Sequence, residues 1–187
     1  MLRSVTGLRG DVILARDGDM GFVVDVYFDD QQWNVRYLVV ETRDLTPEHR
    51  VLITPQAVMP GQPADELVRV RLTCQEVERS PDVDAALPVA LQLDSRVPWE
   101  KRDPHLRSSE VVLGYHVQAL DGLAGRVSDL LIDGAKWSIE RLVVDTGKGL
   151  PGPRVLLAPQ AVRRIEWPWR KVHVALSRDE VRNSPRA

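Results

Sequence analysis

The chain has 187 residues, 43% of them hydrophobic, and a formal net charge of -2. That much apolar material excludes a disordered chain and suffices for one large core or two small ones. One cysteine, Cys74, excludes an intrachain disulfide, and no run reaches the ~18 apolar residues of a membrane span. Residues 1–10 also lack the apolar core of a secretory signal. A reducing cytoplasmic setting is therefore expected, with peripheral membrane association still compatible. The charge is uneven: residues 1–81 sum to about -4 and residues 110–187 to about +3. That difference is large enough to steer a partner and too small to specify nucleic acid.

In chain order, residues 12–16 predict a strand, and Asp17-Gly18 a tight turn that needs a positive φ. Residues 21–30 alternate, with Phe22, Val24, Val26 and Phe28 on one face and Val23, Asp25, Tyr27 and Asp29 on the other. Residues 33–42 carry the buried run Tyr37-Leu38-Val39-Val40, and residues 50–54 a short strand that ends at a Pro55-Gln56 turn. Residues 67–72 alternate again. Thr73-Cys74-Gln75-Glu76 has the spacing of a capping box, and the short helix that follows stops at Ser80-Pro81. Residues 82–109, with Pro88, Pro98 and Pro104, read as a linker. Its alternating Leu87, Val89, Leu91 and Leu93 and its Val97-Pro98-Trp99 suggest that part of it packs across two domains.

The whole series then recurs without a gap. Gly21, Val23, Asp25 and Trp33 meet Gly125, Val127, Asp129 and Trp137, and Leu38-Val39-Val40 meets Leu142-Val143-Val144. Pro55-Gln56-Ala57-Val58 meets Pro159-Gln160-Ala161-Val162, and Ser80-Pro81 meets Ser184-Pro185. Roughly 28 of about 72 aligned positions are identical, against ~6% expected from average composition. Duplication of a whole domain accounts for this, giving residues 1–81 and 110–187 as the two copies. Short strands with glycine turns and one closing helical turn make each copy an all-β unit, a small barrel or rolled sheet.

The ordered set Gly10, Asp17-Gly18, Gly21-x-Val23-x-Asp25, Asp29, Leu38-Val39-Val40, Val51-Leu52 and Pro55-x-x-Val58 resembles the PRC-barrel domain. The second copy shows the same set from Gly114 to Val162. That family includes the cytoplasmic part of the photosynthetic reaction-centre H subunit and a ribosome maturation factor. The segment Asp103-Pro104-His105-Leu106-Arg107-Ser108 is similar to one in bacterial proteins with two such domains. The resemblance implies two tandem PRC-type β-barrels, each closed by a short C-terminal helix. It implies docking on a membrane electron-transfer complex or on the ribosome without choosing between them.

The residues offer little catalytic chemistry. Asp25 and Asp29 on one strand face lie roughly 13–14 Å apart, too far to share a metal. Turn chemistry and solvated strand faces are the expected roles for Asp17, Asp25, Asp29 and their equivalents Asp121, Asp129 and Asp133. His49, His105, His116 and His173 are scattered without zinc-ligand spacing; His105 is the one singled out, either for a partner or as a loop cap at the domain interface. Cys74, at the first turn of a helix whose dipole lowers a thiol pKa, has Arg178 as its counterpart, so the fold does not need a thiol there. No catalytic site, cofactor or metal is expected, and an enzyme is not.

The copies disagree at residues 43–49 against 147–153 and at 59–69 against 163–173. The last of these is basic and aromatic: Arg163, Arg164, Trp167, Trp169, Arg170 and Lys171. Together with His105 they form the candidate partner surface. The competing reading has Trp167 and Trp169 covering the domain while the arginines stay solvated. The expected function is a protein-interaction or scaffolding module; the alternative is an RNA- or ribosome-associated assembly factor, with arginines and tryptophans stacking on bases. Exposed edges are also compatible with a homodimer.

Overall fold

The computed structural model describes residues 2–43, 49–60, 67–92, 103–147 and 152–187. Residues 44–48, 61–66, 93–102 and 148–151, each part of a region singled out above, lie outside the described residues. In the first half, β1 (Leu2–Ser4) and α1 (Val5–Leu8) lead to β2 (Val12–Leu14), β3 (Asp19–Asp29), β4 (Val35–Thr42) and β5 (Arg50–Ile53). A 3-10 turn at Pro55–Ala57, then β6 (Leu67–Arg69) and α2 (Cys74–Glu78), complete it. After 3-10 turns at Val83–Ala85 and Val89–Leu91 the series restarts with β7 (Leu106–Ser108), α3 (Ser109–Val112), β8 (His116–Ala119) and β9 (Gly122–Asp133). It continues through β10 (Ser138–Asp145), β11 (Arg154–Leu157), β12 (Val162–Glu166), β13 (Lys171–Val174) and α4 (Arg178–Arg182).

The chain is mostly β, in two sheets. One runs β5-β4-β3-β2-β6, the other β11-β10-β9-β8-β13-β12. The two ends of each path are not paired, so neither sheet closes into the barrel expected from the sequence. The cause is local. Pro55 and Pro159 have no N–H to give to a ladder and start 3-10 turns, which carry the chain across the sheet end. In the first half, the isolated bridge Val58↔Val70 follows the turn, and β6 then pairs in parallel with β2.

The alternation read along residues 21–30 also fails at one place. A bulge between Val23 and Asp25 gives β3 one extra residue, so Val23, Val26 and Phe28 all face the core. Val24 and Tyr27 turn to the opposite side and pack with Val39, Leu52 and Leu106. The second half repeats the bulge opposite Val143 and Val144. One inserted residue reverses every later side chain, which a period-2 reading cannot anticipate.

The halves exchange their leading segments. β1 pairs antiparallel with β9 of the second half, Arg3 opposite Ile132. β7 pairs antiparallel with β3 of the first half, Arg107 opposite Phe28. Between them Asn34 bridges Ser138, and the Val35 and Ile139 N–H groups donate to the carbonyls of Trp137 and Trp33. The arrangement has a pseudo-two-fold axis, and one continuous core holds residues of both halves, from Val5 to Val181.

Candidate functional site

The acidic residues lie where the exchanged segments land. Asp25 accepts from the Ser108 hydroxyl, the Ser109 hydroxyl at 2.6 Å, the Glu110 N–H at 3.0 Å and its neighbour Val26 N–H at 2.7 Å. Asp129 accepts from the Ser4 hydroxyl and from the N–H and hydroxyl of Thr6 at 3.0 and 2.9 Å. Each carboxylate thus holds the start of the short helix donated by the other half. Asp25 and Asp29 are buried, so the solvated-face reading does not hold for them. Burial pushes the Asp25 carboxyl above its usual range, against the pull of its four donors. Asp29 and Asp133 do the turn chemistry expected of them, accepting from Gln31, Gln32, Ala135 and Lys136 N–H groups. Asp17 and Asp121 tie their hairpins to the closing helices through the Cys74 and Arg178 N–H groups, which hold both carboxyls below the usual range. The Cys74 thiol is pushed up, by desolvation first and by Asp17 beside it; the helix start does not activate it.

The basic, aromatic stretch is split by its own geometry. A bulge between Val162 and Arg164 leaves both Arg163 and Arg164 exposed on β12, while Ile165 between strand and core is buried. A 3-10 turn at Trp167–Trp169 follows, ended by Arg170 in the left-handed region at φ 49°. Trp167 packs on the core, as the competing reading had it, whereas Trp169 is 71% exposed. The turn Val89–Leu91 of the linker lies against this turn, and Leu91 is itself 44% exposed. The Arg170 guanidinium sits 5.7 Å from the centre of the Tyr115 ring, and Arg164 pairs with Glu166 at 3.4 Å. Lys171 is half-buried opposite Glu166 in the β12–β13 ladder.

His105 joins this region indirectly. Its Nδ1 lies 2.9 Å from Asp30, whose other carboxylate oxygen accepts from Arg107 at 2.6 Å. Arg107 also donates to the Ile165 carbonyl of β12 at 3.5 Å, and its Nη1 is buried without a partner. His105 therefore helps to hold the linker strand between the halves, and it is part of a fixed interface as well as partly exposed.

Two open grooves flank the pseudo-two-fold axis, of about 480 and 560 Å³. Equivalent residues frame them, Pro55, Gln56, Val58 and Trp137 in one and Pro159, Gln160, Val162 and Trp33 in the other. Among the described residues no three His, Cys, Asp or Glu side chains gather as a metal site would need. Compared with known proteins, the chain matches no family model and no curated protein. No helix of the described residues is long and apolar enough to cross a membrane.

Sequence reasoning singled out Trp169 by contrast between the copies, and the structure leaves that side chain exposed. It missed Arg107, Asp30 and both grooves, because their residues come from stretches far apart in the chain. One signal was present: Leu2-Arg3-Ser4 is identical to Leu106-Arg107-Ser108, so the repeat begins earlier than Gly10.

Proposed function

We propose that this chain is a non-enzymatic protein-interaction module, a tandem pair of PRC-type units that docks on a larger assembly through the Trp169 edge. The observation that carries this reading is the exposure of Trp169 on a turn that lies against the linker turn Val89–Leu91, in a segment that also exposes Arg163, Arg164 and Arg170 and whose first-copy counterparts are none of these residue types. A tryptophan and an arginine in such a setting are the residue types that concentrate binding energy at protein interfaces. The buried carboxylates support the non-enzymatic part. Asp25, with four donors, is committed to holding the fold and is not presented to a substrate. By the resemblance, the assembly is a membrane electron-transfer complex met from the cytoplasmic side.

Chemical cross-linking in the native cell and capture of the chain, with Trp169→Ala and Arg164→Glu chains compared with wild type, tests this. The expected result is one dominant protein partner whose yield falls in both variants. Partner recovery that is equal in all three chains refutes the proposed edge. Recovery of RNA instead, with affinity falling steeply as salt rises, favours the ribosome-associated reading.

A further inference from the structure

The two grooves share a frame inherited by duplication and differ in charge. In the groove of about 480 Å³ the charged lining residues are Arg71 and Lys136. In its twin they are Asp30, Glu140 and Arg163. The counterparts of Arg71 and Lys136 are Ala175 and Gln32, and the counterpart of Asp30 is Gly134, so the difference in charge between the grooves arose after the copies parted. Arg71 and Lys136 are exposed, and neither has an ion-pair partner among the described residues. Lys136 acts electrostatically on Asp133, one of whose carboxylate oxygens accepts from the Ala135 and Lys136 N–H groups.

We propose that this groove receives a short, extended, acidic peptide segment of a partner protein. Its floor is apolar, with Val35, Pro55 and Val58 buried, and Met59 stands at the rim 43% exposed. The side-chain amides of Asn34 and Gln56 are exposed along it and pair with main-chain groups of an extended chain. Among the described residues the lining holds these two cations, without an ion-pair partner, and no carboxylate; such a lining selects acidic side chains, and a volume of this order holds a few residues. A nucleic-acid strand fits less well. Its affinity grows with the number of phosphates neutralised, and two cations supply little.

Panning the full chain against a phage library of short random peptides tests the proposal. Binders enriched in Asp and Glu are expected, with affinity reduced on the order of tenfold or more in Arg71→Glu/Lys136→Glu. The same peptides keep their affinity for Trp169→Ala/Arg164→Glu, so the groove and the Trp169 edge stand or fall separately. Binders without acidic enrichment, or acidic binders indifferent to the groove variant, overturn the proposal. So does a single-stranded RNA oligonucleotide that outcompetes the peptides and is itself lost in the groove variant.

Discussion

At the scale of residues, a few positions carry geometry that no neighbour can replace. Gly21 sits at φ 140°, and a Cβ there would lie 1.9 Å from the Glu41 carbonyl oxygen. Gly125, its equivalent, would place a Cβ 2.3 Å from the Asp145 oxygen. Both strain and clash fall on backbone, which cannot swing aside. Gly21→Ala is expected to cost more than about 3 kcal/mol, read from urea midpoints. Asp25 makes a different prediction. Its carboxyl pKa is raised by burial, so the folded state favours the protonated form. That contribution is complete below the ordinary Asp value of about 3.9 and is lost as pH rises through the raised value. The stability gap between wild type and Asp25→Asn should therefore narrow as pH rises above the ordinary Asp value of about 3.9; a gap that widens with rising pH contradicts the assignment. Both glycines were legible as positions repeated between the copies, at the start of a strand, but not as sites of close backbone approach. The burial of Asp25 was not, because the bulge at Val24 and the serines that reach it from β7 and α3 leave no local trace.

Elements differ in how far their sequences announce them. The closing helices do so fully: Thr73 and Ser177 each accept the N–H of the Glu three residues on, and that Glu reaches back. Replacing Thr73 by Ala should cost about 1 kcal/mol, measurable by thermal unfolding. The leading segments announce themselves poorly. Three residues are too few for a period, and the strand each one pairs with belongs to the other copy. Their weight is nevertheless large, since Val5 and Leu8 of α1 are fully buried. Leu8→Ala is expected to cost about 2–5 kcal/mol, as for any core leucine, even though it lies eight residues from the start of the chain. A loss below about 0.5 kcal/mol would mean that the segment is only loosely attached. The Trp169 edge is intermediate. Its composition stood out, but only the linker turn at Val89–Leu91 turns a lone tryptophan into a patch.

For the molecule as a whole, the single core and the exchanged segments couple the halves. Unfolding is expected as one calorimetric transition, with Leu8→Ala and Val112→Ala shifting the same peak, because each residue stands in the common core. Two resolved peaks would contradict that coupling. Acid should weaken the fold. Asp17, Asp121, Asp133, Asp145, Glu76 and Glu180 are all held below their usual range by N–H donors. Their contribution is present above the ordinary carboxylate range and is lost as pH falls through the depressed values, whereas Asp25 alone among the shifted carboxylates acts in the opposite sense. The urea midpoint should therefore drop below about pH 4.

The exchange of β1 has a mechanical consequence. Leu2–Ser4 is anchored on β9, and at the other end Arg186 bridges Val155 of β11. A tension applied between residues 2 and 186 thus runs through β1, β9, β10 and β11 of one sheet and bypasses the other. The first half hangs outside the line of force, sheltered until β1 shears from β9. Held by both ends, this chain would bear load with its second half, so that of the groove residues Lys136 and Trp137, between β9 and β10, lie on the line of force while Pro55, Val58 and Arg71 lie off it.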